Sequence, residues 1–85
     1  MSQTPQTPAT REDILAAVRG FLKNDALGED DDLFKSGLLD SLQIVTLVGF
    51  LEERFACSLN YDELTEENLG SLSRIAAMLL RKKTP

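Results

Sequence analysis

Apolar side chains recur at helical spacing in three separate stretches of the chain. In the first, Ile14, Leu15, Val18, Phe21 and Leu22 form a stripe, with the Thr10 hydroxyl placed as an N-cap and Glu12 and Asp13 in the first turn. The second stretch runs from about Ser41 to Phe55 and contains no proline. At ~100° per residue, Ile44, Leu47, Val48, Leu51 and Phe55 fall on one stripe, which is predicted to be core. Leu42, Val45 and Phe50 lie off its centre, so this helix carries more apolar surface than one buried face requires; the excess is expected against a partner or a neighbouring loop. In the third stretch Leu72, Ile75, Ala76, Leu79 and Leu80 make the buried face, and Arg81, Lys82 and Lys83 meet the negative end of the helix dipole.

The segments between these stripes complete the picture. Residues 1–9 are Pro, Thr and Gln without apolar periodicity and are expected to be a flexible tail; residues 83–85 form a second, short tail. From Lys23 to Asp40 helical periodicity is lost, yet Leu27, Leu33, Phe34, Leu38 and Leu39 are too apolar for a free linker, so this long loop must lie on the core. A connection of that length in a compact domain is usually functional. The acidic run from Glu29 to Asp32 lacks the spaced acids of a calcium loop and is expected to be a solvated turn. Thr65, followed by Glu66 and Glu67, is placed to cap one short helical turn, which Gly70 and Ser71 separate from the last helix. The fold class is therefore all-α: one domain over residues 10–82, a small four-helix bundle of three principal helices and one short one, with a long loop between the first two.

Composition narrows the function. A chain of 85 residues holds one domain at most, and a formal net charge of −5 argues against nucleic acid as the ligand, since phosphate backbones are bound by clustered Lys and Arg. Cys57 has no second cysteine to pair with and, behind Phe55, is expected in the core. No stretch approaches the ~20 apolar residues of a membrane span, and a cytoplasmic monomer is the expectation. There is no histidine, so a Ser-His nucleophile pair, an imidazole acid or base and a His-containing zinc site are all excluded.

One polar residue stands out against this background. Ser41 lies directly behind Asp40, where the long loop becomes the apolar second helix. Either Asp40 or Ser41 is suited to be the N-cap, which contributes about 1 kcal/mol. A helix N-terminus also presents unpaired N–H donors and a positive dipole end, which favour a phosphate attached there. Gly37 permits a sharp turn just before the junction, so the serine is expected to be exposed.

The order Asp32-Leu33-Phe34, Gly37-Leu38, Asp40-Ser41-Leu42 and Leu51-Glu52-Glu53-Arg54-Phe55 resembles the acyl and peptidyl carrier proteins. The likeness continues through Leu64-Thr65-Glu66-Glu67-Asn68-Leu69 and from Ser71-Leu72 to Ile75, so it spans about Thr10 to Arg81. It implies a stand-alone four-helix carrier whose Ser41 receives 4'-phosphopantetheine from coenzyme A through a phosphopantetheinyl transferase. The arm's thiol then holds an acyl or aminoacyl group as a thioester. On this resemblance there is no catalytic residue and no metal. The partners are the transferase, an acyl- or aminoacyl-activating ligase or acyltransferase, and downstream condensing or modifying enzymes, with no nucleic acid and no membrane.

Asp40, Leu42 and Val45 are then the expected partner surface; for the two apolar residues the alternative is packing on the preceding loop. Glu52 and Glu53 are candidates for a basic patch on a partner or for solvated helix charge. Gly49 lowers helix propensity by ~1 kcal/mol and either accommodates the arm or a partner or is simply tolerated. Gln43 and Thr46 stand where carriers of fatty-acid synthesis usually have acids, which favours a specialised pathway of polyketide, nonribosomal peptide or related type over primary fatty-acid synthesis. The reading from another class is an unmodified acidic helical adaptor that binds through Leu42, Val45 and Phe50.

Overall fold

The structure, a computed structural model, describes residues 10–83; the tail expected over residues 1–9 lies outside them, as do residues 84 and 85. Helices α1 (Arg11–Leu22), α2 (Ser41–Phe55), α3 (Glu66–Leu69) and α4 (Leu72–Lys83) follow in order, with a 3₁₀ turn, Tyr61–Glu63, ahead of α3. The described residues contain no strand, so the fold is all-α, with three long helices and one short. Lys83, which the sequence assigns to the tail, is the last residue of α4.

Each helix starts at a side chain that accepts from one of its free N–H groups. Thr10 and Asp13 form a reciprocal capping box on α1: the Thr10 hydroxyl accepts from the Asp13 N–H and the Asp13 carboxylate from the Thr10 N–H, each at 3.1 Å. Thr65 caps α3 through the Asn68 N–H, and Ser71 caps α4 through the Arg74 N–H at 3.2 Å. At their C-terminal ends α1 and α2 turn off through Lys23 and Ala56, both in the left-handed region.

The core gathers Ile14, Leu15 and Val18 of α1, Leu47, Leu51 and Phe55 of α2, Leu69, and Leu72, Ile75, Ala76, Met78 and Leu79 of α4. Helix α4 packs against both α1 and α3. That explains why Met78, which a single stripe leaves out, is fully buried. On α2 the periodic stripe shifts by a few tens of degrees: Ile44 packs on the core half-buried, and Val48 sits at the margin and is not part of the core cluster. Phe50 finds α1, stacking on Phe21 with ring centroids 5.0 Å apart. Leu80 and Cys57 are half-buried rather than sealed in the interior.

The long loop is fastened to this core. Leu27, Leu33 and Leu39 are buried, each stabilising the fold by about 2 kcal/mol, and Phe34 and Leu38 pack on the cluster half-buried. The acidic run is more than a solvated turn. Glu29 pairs with Arg11, Asp30 accepts from the Ser73 hydroxyl, Asp31 accepts from the Gly28 N–H, and Asp32 accepts from the N–H groups of Phe34 and Lys35. No group of acids among the described residues is arranged to hold a metal ion.

At the opposite end, Glu63 ties the 3₁₀ turn to α4. Its carboxylate accepts from the Asn60 N–H at 2.8 Å and pairs with Lys82 at 2.9 and 3.1 Å. The Asn60 hydrogen bond, and after it the bond to Lys82, hold the Glu63 carboxyl below the usual carboxylate range. A folded value below the unfolded one means that stability is fully present above the unfolded value, ~4.3, and is lost as pH falls through the folded value. Glu63→Gln is therefore expected to flatten the decline of the urea midpoint below about pH 4.3. Curves for wild type and variant that run parallel through that range would show that Glu63 contributes nothing to acid sensitivity.

Candidate functional site

The loop enters α2 through Gly37, whose φ of +82° turns the chain in a region that side chains with a Cβ avoid. Leu38 and Leu39 then anchor the backbone on the core and deliver Asp40 to the helix start. Asp40 settles which residue is the cap. Its Oδ1 accepts from the Gln43 N–H at 2.9 Å, and its carbonyl accepts from the Ile44 N–H at the same distance. Ser41 is the first residue of the helix and is exposed.

Among the described residues, no group hydrogen-bonds the Ser41 hydroxyl, and the N–H groups of Ser41 and Leu42 have no acceptor. An exposed hydroxyl beside two free N–H donors at the positive end of a fifteen-residue helix suits an attached phosphodiester, whose oxygens those donors and the dipole would stabilise. The same arrangement does not activate a nucleophile. Asp40 is occupied with the backbone, and the sequence holds no imidazole to take the serine proton.

Beyond the cap residue Asp40, the exposed residues that follow Ser41 on the first turns of α2 carry no charge. Leu42 is 76% exposed and Val45 67%, so both are free of the loop rather than packed on it. Ser41 and Val45 are four residues apart and Leu42 and Val45 three, so the three share a face. Gln43 and Thr46 are exposed beside them, with the Thr46 hydroxyl donating back to the Leu42 carbonyl at 3.2 Å. The first turn of α2 carries no acid. Gly49 faces open space further along.

The acids suggested for a basic partner differ from each other. The Glu52 carboxylate accepts from the Leu59 N–H at 2.8 Å and closes the turn after α2, whereas Glu53 is exposed. The structure adds one residue that the stripes do not single out: Tyr61, on the 3₁₀ turn, is 88% exposed. Its position carries no periodic signal in the sequence.

An exposed serine at the mouth of a capped helix, with no base beside it, fits a carrier better than a catalyst. Comparison with known proteins agrees: residues 12–79 match the family model described as the phosphopantetheine attachment site. The chain belongs to that family. It is a carrier protein with covalently attached 4'-phosphopantetheine as its cofactor, and not an enzyme. It is similar to the D-alanyl carrier protein of Lactococcus lactis subsp. lactis (strain IL1403), with 37% identity over 73 residues, 84% of this chain and 89% of the relative. The D-alanyl carrier protein of Lactococcus lactis subsp. cremoris (strain MG1363) is 35% identical over 74 residues, 85% of this chain and 94% of the relative. Carriers of this kind work with a phosphopantetheinyl transferase and with ligases or acyltransferases. No helix among the described residues is long and apolar enough to cross a membrane.

Two glycines near the site predict opposite effects. Gly37→Ala forces a Cβ into the left-handed region and is expected to lower stability by about 1 kcal/mol or more. Gly49→Ala meets nothing within 4 Å and is expected to raise it by up to about 1 kcal/mol. Urea titration of the two variants beside wild type reads both; shifts of the same sign would contradict this account of the loop and α2.

Proposed function

We propose that Ser41 carries the 4'-phosphopantetheine arm and that the group held on its thiol is an amino acid, D-alanine in the first instance. One observation carries the attachment residue: the exposed hydroxyl on the first residue of α2, left unengaged because Asp40 is the cap. When bound, the arm supplies a thiol that holds the cargo as a thioester. The protein's own residues present the hydroxyl, offer the N–H groups of Ser41 and Leu42 to the phosphodiester and give partner enzymes a surface to grip. In the modification, the Ser41 oxygen forms the new phosphoester bond, the nucleotide portion of coenzyme A leaves, and the transferase takes the proton.

The aminoacyl cargo is proposed from the similarity to D-alanyl carrier proteins. Gln43 and Thr46 leave the face beside Ser41 without the acids expected of a fatty-acid carrier, which supports a dedicated carrier of a specialised pathway. Leu42 and Val45 are then contact residues for the transferase, for an aminoacyl-activating ligase and for the enzyme that accepts the cargo, while Asp40 serves the same partners by holding the serine in place. Coenzyme A and such ligases put the protein to work in the cytoplasm, as a monomer whose apolar face is covered only while a partner is docked.

Incubation of the apo protein with coenzyme A and a broad-specificity phosphopantetheinyl transferase is expected to add the mass of one phosphopantetheine, and Ser41→Ala to abolish the gain while the protein stays folded by circular dichroism. A gain that survives the substitution would move the attachment elsewhere. Holo protein isolated from its native cell is expected to carry a hydroxylamine-labile alanyl adduct that chiral analysis identifies as D-alanine; a fatty-acyl adduct would contradict the proposed cargo.

A further inference from the structure

The segment that leads to Ser41 is held on its far side by the first turn of α4, through a set of hydrogen bonds that runs in one direction. The Ser73 hydroxyl donates to Asp30 Oδ1 at 3.0 Å, and the Ser73 N–H donates to the Glu29 carbonyl at 3.0 Å. The Ser71 hydroxyl accepts from the Arg74 N–H and lies 3.1 Å from Ser73 Oγ. With the Ser73 proton on Asp30, the Ser71 proton is left to point at Ser73, so Ser71 both donates and accepts and is satisfied although only 5% exposed.

One step further, the Leu33 N–H donates to the Gly70 carbonyl at 2.8 Å. The Leu33 carbonyl in turn accepts from the Leu39 N–H at 3.0 Å, and Leu39 adjoins the cap residue Asp40. Leu33 is fully buried, so its two backbone bonds are shielded from water in a way that those of the exposed turn around it are not.

We propose that Ser73 is a positioning residue for the Ser41 hydroxyl: its bond to Asp30 latches the long loop to α4, and the Leu33 bonds pass that restraint on to Asp40 and the start of α2. The latch borders an open polar cleft lined by Asp30, Asp32, Glu66, Gly70, Ser71 and Arg74. Water therefore reaches it, and the restraint is of the size of one partly solvated hydrogen bond. Removing it leaves the helices intact and lets the loop sample undocked geometries, from which Ser41 is presented less often to an enzyme that needs the docked one.

The inference rests on Ser41 being the attachment residue, and the test is arranged to separate the two. In Ser73→Ala and in Asp30→Ala, amide hydrogen exchange is expected to quicken about fivefold at Leu33 and Leu39 and to stay unchanged at Val18 and Leu51 in the middle of α1 and α2. The double variant adds nothing to either single one, and Asp30→Asn, which keeps the Oδ1 acceptor, behaves as wild type. In the transferase assay with coenzyme A, both alanine variants are expected to raise the KM for the carrier twofold to ~fivefold with kcat unchanged. Exchange that is unchanged at Leu33 and Leu39, or that rises equally in the helices, overturns the latch; faster exchange with an unaltered KM overturns its link to Ser41. Absence of modification in the wild-type protein would instead defeat the reading of Ser41, with exchange alone deciding the latch.

Discussion

The proposed attachment of the arm at Ser41 depends on a division of labour between two adjacent side chains. A helix beginning in solvent leaves N–H groups that some oxygen must satisfy, and a serine at the boundary would ordinarily be drawn into that task. Here Asp40 does it, bonding the Gln43 N–H from one residue further out. Ser41 is thereby the first helical residue, and no group among the described residues hydrogen-bonds its hydroxyl. The same arrangement leaves the two nearest N–H groups available to an anion attached at that oxygen.

That arrangement holds only while Asp40 arrives from a fixed direction, and the long loop supplies it. Leu27, Leu33 and Leu39 bury themselves in the bundle, and Gly37 makes the bend that a β-carbon would oppose. The acids between them are used locally, as caps of turns and as anchors to α1 and α4, instead of forming an unattached negative patch. A bundle built in this way can be small, because on the proposed function it has one hydroxyl and one apolar strip of α2 to hold in a constant relation.

Much of this was legible in the residues. Stripes at helical spacing define α1, α2 and α4, and the ordered anchors from Asp32 to Leu42 point to the family and to the serine. What periodicity misplaces has physical causes. Val48 lies at the margin of the core cluster, Phe50 is taken up by Phe21, and Met78 is buried because α4 has neighbours on two sides. Asn60 and Glu63 do have capping-box spacing, but the 3₁₀ turn they frame is too short to announce itself by an apolar stripe. The Ser71, Ser73 and Asp30 contacts join positions 43 residues apart at their widest, and no local pattern encodes such a meeting.

Attachment of the arm at Ser41 is tested by peptide-level mass spectrometry of the protein purified from its native cell, with fragmentation that localises the adduct. The phosphopantetheine mass is expected on Ser41 in the peptide that runs from the loop into α2. An adduct on Ser36 or Ser58, both also exposed, would contradict it and would remove the reason for which Asp40, rather than the serine, caps the helix.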